Sequence, residues 1–169
     1  MRENLIPPAI VVMGVSGCGK STVGRLLAER LGWPFFDADD FHPPENIARM
    51  TAGQPLSDAD RAPWLDALHT LLADHLRHGQ PLVLACSALK EAYRQRLAAG
   101  GLNVRFVHLQ GGFDLIYRRM QARQAHYMRP EMLHSQFADL EAPTEALTLD
   151  IRQPPAALVT TIVHWLEKG

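Results

Sequence analysis

Short apolar runs alternate along the chain with longer segments in which apolar residues recur every three or four positions. The first run, AIVVM at 9–13, leads into a glycine-rich turn, and a periodic segment follows from Ser21. Short apolar runs predict buried strands, and the three-to-four spacing predicts helices. Strands and helices that alternate in this way predict an α/β fold in which a parallel β-sheet is flanked by helices.

The same pattern gives approximate bounds for each element. Strands are predicted at 9–13, 33–36, 81–85, 104–109 and 147–150. Helices are predicted at 21–31, from about 57 to 79, and at 90–99, 113–123, 130–140 and 154–168. Ser57 and Asp60 have the spacing of a capping box at the start of the second helix, and Gly32 is a C-terminal stop for the first.

Two of these helices carry an apolar stripe that is predicted to face the core. In the first helix the stripe consists of Val23, Leu26, Leu27 and Leu31. In the helix that begins near Ser57 it consists of Leu65, Leu68, Leu72 and Leu76. Residues at this spacing share one side of a helix, so we expect both sets to be buried.

Length and charge narrow the class of protein. The 169 residues, 47% of them hydrophobic, predict one domain spanning 1–169 with a substantial core. The formal net charge of −1 argues against a nucleic-acid partner, because such proteins usually present a strongly basic face. A local basic pocket is still compatible with this charge.

Cysteine content and hydropathy indicate the cellular compartment in which the protein is expected. Cys18 and Cys86 lack the spacing of a metal site and are too few for a disulfide framework, which favours a reducing environment. No apolar stretch approaches the roughly 18 residues of a membrane span, and the start of the chain lacks the pattern of a signal peptide. We therefore expect a cytoplasmic protein without membrane contact.

A phosphate-binding loop is the clearest motif. Residues 14–21 read GVSGCGKS, which matches G-x-x-x-x-G-K-[ST], and they lie between the first predicted strand and helix. Backbone N–H groups of such a loop surround phosphate oxygens, Lys20 reaches the β- and γ-phosphates, and the Ser21 hydroxyl binds Mg²⁺. The predicted ATP-binding residues are Gly14, Val15, Ser16, Gly17, Cys18, Gly19, Lys20, Ser21 and Thr22. The alternatives are a chance glycine-rich turn and, for Cys18, a reactive thiol in place of a small filler.

Three aspartates follow the second predicted strand. The carboxyl ends of parallel strands meet at one edge of the sheet, so Asp37, Asp39 and Asp40 are expected near the phosphate loop. In an extended chain Asp37 and Asp39 would point the same way, one towards Mg²⁺ and the other towards the proton of an attacking hydroxyl. The third strand lacks a Walker-B aspartate after it, which leaves Asp37 as the candidate for the metal. Ordinary turn or capping roles are the alternative.

Carboxylates at this position favour a hydroxylated acceptor over a nucleoside monophosphate, whose dianionic phosphate would require arginines. Four basic side chains could then bind an acid group on that acceptor: His42, Arg61, Lys90 and Arg94. Arg119 and Arg123 share a helix face that leads towards His126 and Arg129. Arginines on a mobile flap could stabilise the transferring phosphoryl group and exclude water, although a plain basic helix face is the alternative.

Several segments together resemble the gluconokinase family. These are 37–43 (DADDFHP) with Asn46, Met50, Gly53, 55–56 (PL) and 58–64 (DADRAPW), then 86–90 (CSALK) with 93–94 (YR), 122–123 (AR) with His126, and 136–137 (QF) with 140–141 (LE) and Pro143. The family pattern has glycine at Ala38, lysine at Arg49 and frequently serine at Cys18. None of these departures removes a group with a proposed catalytic role.

The resemblance implies the P-loop fold of nucleoside-monophosphate and shikimate kinases, with a mobile lid at about 119–140. It also implies ATP with Mg²⁺, phosphorylation of D-gluconate to 6-phosphogluconate, and a homodimer. By this resemblance Lys20, Asp39 and Arg123 are catalytic, and Ser21 and Asp37 serve the metal. Arg119 joins Arg123 in binding ATP, while Asp39 and the four basic residues named above bind gluconate. The segment 151–154 is expected to border adenine.

Two rival interpretations remain open at this point. Another small-metabolite or nucleoside monophosphate kinase on the same fold, such as a shikimate kinase, would share the phosphate loop and differ in its acceptor. A noncatalytic regulator would bind ATP without releasing ADP in response to any acceptor.

Overall fold

A parallel sheet forms the centre of the protein in the computed structural model, which describes residues 8–123 and 130–169. Its strands are β1 (Ala9–Met13), β2 (Phe35–Asp37), β3 (Leu82–Ala85), β4 (Val104–Gln110) and β5 (Leu147–Asp150). Their order is β2-β3-β1-β4-β5, and every pairing is parallel. The predicted α/β fold with a parallel sheet is confirmed.

Helices connect these strands. They are α1 (Lys20–Leu31), α2 (Pro44–Thr51), α3 (Asp58–Arg77), α4 (Glu91–Leu97), α5 (Phe113–Ala122), α6 (Pro130–Asp139) and α7 (Pro155–Glu167), together with a 3₁₀ turn at Ala38–Phe41. The turn and α2 were not predicted from the sequence. Helix α2 has no apolar stripe, since the one buried residue among its eight is the polar Asn46, so periodicity could not reveal it.

The two faces of the sheet bury separate groups of side chains. On β1, Ile10 and Val12 contact one group, whereas Ala9, Val11 and Met13 contact the other. Both groups are fully buried because helices cover both faces, which is why the strand is a continuous apolar run without alternation. The sheet is therefore a rigid platform for the loops at its edges.

The predicted buried stripe of α1 is partly wrong. Val23 and Leu27 are buried as expected, but the side chain of Leu26 is 40% exposed. Gly24 takes its place against the sheet, because a Cβ there would lie 2.7 Å from Cε2 of Phe35. The stripe of α3 is confirmed, and so is the capping box, in which Ser57 and Asp60 exchange hydrogen bonds.

Parallel pairing places the carboxyl ends of all the strands at one edge of the sheet. The loop after β1 contacts the loop after β3 there, through a hydrogen bond of 3.2 Å from the Gly14 amide to the Ser87 carbonyl. The end of β2 at Asp37 pairs with Ala85 of β3. In the part of the chain that the structure describes, no helix is long and apolar enough to cross a membrane.

Candidate active site

The loop between β1 and α1 is shaped by close packing that only glycine permits. At Gly14, with φ of +146°, a Cβ would lie 2.8 Å from the Leu109 carbonyl oxygen. At Gly17, with φ of +79°, a Cβ would lie 2.5 Å from Cγ of Met120 on α5. Both positions therefore exclude a side chain, and the backbone at each adopts a conformation that glycine accepts without strain. The loop is held between β4 and α5.

Lys20 begins α1 directly behind this loop. Its ammonium Nζ donates a hydrogen bond of 3.1 Å to the Val15 carbonyl, so the cation lies over the loop. The N-cap of α1 is Gly19, which offers no side-chain cap to the first N–H groups of the helix. The first N–H groups of the helix, the helix dipole and a lysine together favour binding of an anion such as phosphate.

Cys18 fills space inside the loop. Its side chain is 2% exposed, and burial raises the pKa of its thiol. A raised pKa lowers the fraction of reactive thiolate at neutral pH. This favours the small-filler interpretation over the reactive thiol.

Ser21 and Asp37 lie side by side at the start of α1. The Ser21 hydroxyl donates a hydrogen bond of 2.8 Å to Oδ2 of Asp37. Across residues 8–123 and 130–169, no three His, Cys, Asp or Glu side chains gather as a metal cluster. One hydroxyl and one carboxylate still suit Mg²⁺, which keeps several waters and takes its other ligands from substrate phosphates. These residues fit the metal that the phosphate loop implies.

The chain after Asp37 is not extended, contrary to what the prediction for Asp37 and Asp39 assumed. Asp39 lies in the 3₁₀ turn, and the other carboxylate oxygen of Asp37 accepts its backbone N–H at 3.0 Å. This contact caps the turn and bends the chain after β2. Trp64 anchors the turn from below by donating from Nε1 to the Ala38 carbonyl at 2.7 Å. Asp39 and Asp40 consequently lie exposed at the edge of the sheet.

A cavity of about 460 Å³ lies beside the phosphate loop. Its lining comprises Gly17, Cys18, Gly19, Thr22, Val23, Arg119, Ala122, Arg123 and residues 151–155 with Leu158. Arg119 is held there by a hydrogen bond of 2.8 Å from Nη2 to the Ile151 carbonyl. Arg118 instead donates to Asp114 of its own helix. The cavity thus joins the predicted loop to both predicted arginines and to the segment expected to border adenine.

Two of the four basic residues predicted for the acceptor, Arg61 and Lys90, contact Tyr93, and a third, His42, lies near Arg61. We call this group, with Asp58, the Tyr93 cluster: His42, Asp58, Arg61, Lys90 and Tyr93. The Tyr93 hydroxyl accepts a bond of 2.8 Å from Nη1 of Arg61 and donates to the Asp58 carboxylate. Lys90 also binds Asp58, with Nζ 3.0 Å from Oδ1.

Hydrogen bonds, burial and neighbouring charges shift the pKa values of side chains in the Tyr93 cluster. The hydrogen bonds from Tyr93 and then from Lys90 lower the pKa of Asp58, and the bond to Asp58 raises the pKa of Lys90. Burial, and next the positive charge of Arg61, lower the pKa of His42 to about 4. At neutral pH the cluster therefore holds two cations, one anion and a neutral imidazole. Arg61 is also paired with Asp139, so each of the two cations already binds a carboxylate of the protein, the chemical group that a sugar acid would offer.

Arg94, which was predicted to bind substrate, is buried and uses its hydrogen-bond donors within the protein. Its side chain is 4% exposed, and it donates five hydrogen bonds, which equals its number of N–H groups. Three go to the carbonyls of Ala88, Leu89 and Glu141, and two to the Glu91 carboxylate. Ala88 has φ of +44°, so Arg94 holds a strained backbone in place. The structure gives Arg94 a supporting role.

The C-terminal end of α6 connects both halves of the site. Gln136 accepts the backbone N–H of Ser16 at 2.6 Å and donates to the Ser16 hydroxyl at 2.9 Å. One helical turn later, Oδ2 of Asp139 lies 3.4 Å from Nη1 of Arg61. The backbone N–H of Glu141 then donates to the Leu89 carbonyl at 2.8 Å. A single segment thus touches the phosphate loop and the Tyr93 cluster.

Sequence reasoning missed several of these residues. Asn46, Asp58, Tyr93, Gln136 and Asp139 were assigned no role from the residues alone. All but Asp139 lie in segments that carry the family resemblance, which was the available signal. Their partners are distant in sequence, so no local pattern reveals the contacts. His126 and Arg129, expected on the flap, lie outside the described residues.

Comparisons with known proteins identify the family to which the chain is similar. The shikimate kinase family model matches residues 16–153. A probable gluconokinase of Mus musculus is 50% identical over 155 residues, 82% of this chain and 84% of its own. The gluconokinase of Gluconobacter oxydans is 48% identical over 84% of this chain and 80% of its own. The crystal structure of a gluconokinase from Sinorhizobium meliloti is 42% identical, covers 96% and 93% of the two chains, and superposes with a TM-score of 0.87.

Proposed function

The chain belongs to the gluconokinases within the shikimate kinase family, and we propose that it transfers the γ-phosphoryl group of ATP to the C6 hydroxyl of D-gluconate, producing 6-phosphogluconate. The observation that carries the proposal is the pair Ser21–Asp37 beside Asp39, directly behind the phosphate loop. It combines a metal site with a carboxylate that can orient a hydroxyl.

The phosphate loop binds the triphosphate in this proposal. The amides of residues 15–22 other than those of Ser16 and Cys18, which bind Gln136 and Val15, contact the β- and γ-phosphates. Lys20 exchanges its bond to Val15 for phosphate oxygens. Ser21 and Asp37 would hold Mg²⁺ with the phosphates of ATP. When bound, the metal ion would neutralise part of the phosphate charge.

Asp39 orients the attacking hydroxyl and accepts its proton. Phosphoryl transfer generally proceeds through a loose transition state, so alignment of the hydroxyl matters more than the strength of the base. The 3₁₀ turn supports this role, since it is fixed at one end by Asp37 and below by Trp64. Asp39 is therefore presented on a rigid element.

The Tyr93 cluster binds the sugar acid. Arg61 and Lys90 would contact its carboxylate, and His42 one of its oxygens. Both cations are already paired with Asp139 and Asp58, so gluconate competes with internal carboxylates for them. Arg94 is omitted from this set, because its donors are all used within the protein.

Arg119 and Arg123 complete the nucleotide site. Both line the cavity beside the loop, where they can contact phosphate oxygens, and residues 151–154 border the adenine. Arg123 in particular would stabilise the charge of the transferring group. We further propose that the region of about 119–140 acts as a lid, that 1–169 is one domain, and that the protein works as a cytoplasmic homodimer.

A coupled assay of ADP release tests the proposed function. The protein is incubated with ATP and Mg²⁺ and with gluconate, shikimate, AMP or CMP in turn. We expect ADP release that depends on gluconate and is weak with the other three acceptors. Release that depends on shikimate or on a nucleotide would identify the rival kinase. ATP binding without release in response to any acceptor would identify a regulator.

A further inference from the structure

Asn46 is one of three buried polar or charged residues among those the structure describes, and it lies on an otherwise exposed helix. Its side chain is 3% exposed, and Nδ2 donates to the Asp60 carbonyl at 2.9 Å. A carbonyl oxygen can only accept, so this bond fixes which end of the amide is the NH₂ group. The same Nδ2 lies 3.2 Å from Nδ1 of His42.

This contact determines where the imidazole of His42 carries its proton. Because Asn46 donates to Nδ1, that nitrogen must hold a lone pair, and the single proton of the neutral ring lies on Nε2. The ring stays neutral at physiological pH, since burial and the charge of Arg61 hold its pKa near 4. Nδ1 is thus occupied, and Nε2 presents an N–H donor.

The ring is also fixed in orientation. It stacks on Trp64 with centroids 4.3 Å apart and planes inclined by 10°. Trp64 is itself 3% exposed and bonded to the Ala38 carbonyl. Within residues 8–123 and 130–169, no hydrogen-bond partner of Nε2 is present. A half-buried donor next to Arg61, held on one side by Asn46 and below by Trp64, is preorganised for a ligand oxygen.

We propose that Asn46 is a positioning residue that keeps His42 in the Nε2–H form, so that His42 donates a hydrogen bond to an oxygen of the sugar-acid acceptor. The inference rests on the proposed function, in which the Tyr93 cluster binds that acceptor. It also assigns separate roles to His42 and Asp39. His42 is a donor to substrate and takes no proton from it, so the base is Asp39. The ligand group that faces His42 must accept a hydrogen bond, as a hydroxyl or carboxylate oxygen does.

The tautomer can be read directly on the wild-type protein. Long-range ¹H–¹⁵N spectra of protein labelled at histidine distinguish a protonated ring nitrogen from one with a lone pair. The His42 signals are identified among the eight histidines by their loss in His42→Gln. We expect a proton on Nε2 and a lone pair on Nδ1 at pH 7. A proton on Nδ1 would overturn the proposal.

A double-mutant cycle tests the functional consequence. Asn46→Asp replaces the donor by an acceptor, which favours the Nδ1–H form of His42. We expect the KM for gluconate to rise about tenfold, the scale of one hydrogen bond, with the KM for ATP unchanged. In a His42→Gln background the donor no longer depends on Asn46, since the Gln amide can itself donate from the ε position. The same Asn46→Asp change should then alter the KM for gluconate less than twofold.

Equal effects of Asn46→Asp in both backgrounds would show a purely structural role and would refute the positioning role. Asn46→Ala serves as the second variant if the added carboxylate prevents folding, because it removes the donor to Nδ1 without adding a charge. A wild-type protein that releases no ADP with gluconate would contradict the proposed function instead. The two failures are distinguishable, because the spectrum reports the tautomer without turnover.

Discussion

Among single residues, Lys20 has the most direct electrostatic task. Its Nζ already lies over the phosphate loop, 3.1 Å from the Val15 carbonyl. Replacing Lys20 by Ala removes the one ammonium that the motif provides for the β- and γ-phosphates. We predict that kcat falls about 100- to 1,000-fold in a steady-state ADP assay. Lys168→Ala, at the exposed C-cap of α7, is the matched control and should retain wild-type activity.

Asp39 is compared with its neighbour Asp40 on the same 3₁₀ turn. Both carboxylates are exposed, and only Asp39 has the proposed role at the acceptor hydroxyl. Asp39→Asn should lower kcat about 100-fold, as expected for loss of a general base, while the Kd for ATP stays within about twofold. Asp40→Asn should leave both values near those of the wild type. A near-normal kcat for Asp39→Asn would remove Asp39 from the mechanism.

His42 links pH to stability. Its pKa is about 4 in the folded protein and 6.5 ordinarily, so below pH 6.5 the unfolded chain takes up a proton that the folded protein excludes. The free energy of unfolding should therefore fall as the pH drops from about 6.5 towards 4. We predict that wild-type protein loses more stability between pH 7 and 5 than His42→Gln, measured by urea unfolding at each pH. Equal losses of stability in the wild type and in His42→Gln would show that the folded protein does not hold the imidazole neutral.

Residues could be predicted from the sequence where the chemistry is local. Lys20 and Ser21 follow from one contiguous motif, and Asp37 follows from its place at the end of a strand. Asn46 could not be found in this way, because its two partners, His42 and the Asp60 carbonyl, meet only after α2 and α3 pack together. Arg94 shows the converse, since its positive charge suggested a ligand and its burial gives it five partners inside the protein.

At the scale of elements, α6 is the helix that joins the two halves of the site. Gln136 binds both the amide and the hydroxyl of Ser16. We predict that Gln136→Ala lowers kcat/KM for ATP about tenfold, because two hydrogen bonds that fix the loop are lost. Initial rates at varied ATP measure this effect. Gln80→Ala, at an exposed turn, is the control, and an unchanged kcat/KM in Gln136→Ala would show that the loop needs no support from α6.

Elements with strong periodicity or apolar runs were predicted well, and others were not. Strands β1 and β5 have the predicted bounds, and α3 begins at its predicted capping box. Helix α2 and the 3₁₀ turn were missed, because they are held by side-chain contacts and not by an apolar face. These two short elements carry Asp39, support His42 and contain Asn46. The least regular part of the sequence thus forms the centre of the site.

At the scale of the whole molecule, the two halves of the site should bind their ligands cooperatively. Gln136 touches the phosphate loop, and Asp139 on the next turn holds Arg61 of the Tyr93 cluster. We predict that gluconate lowers the Kd of a non-hydrolysable ATP analogue at least about fivefold, and that the analogue lowers the Kd of gluconate by the same factor. Isothermal titration of each ligand, with and without the other, measures this.

Gln136→Ala tests whether α6 couples the two halves of the site, since it removes the contact of the helix with the loop and leaves the charged contacts of both ligands in place. The factor by which each ligand lowers the Kd of the other should fall towards one in this variant. Identical Kd values with and without the second ligand in the wild type would mean that the halves are independent. A factor that persists in Gln136→Ala would place the connection elsewhere in the molecule.

The saturated guanidinium of Arg94 has a practical consequence for redesign. An engineer who wishes to change the preferred sugar acid would naturally randomise every cation near the carboxylate. Arg61 and Lys90 tolerate that strategy, because their side chains are 13% and 29% exposed and each releases a partner that water can solvate. A library that includes Arg94 would mostly contain misfolded proteins, because even lysine supplies three donors from a single nitrogen where five in a plane are needed.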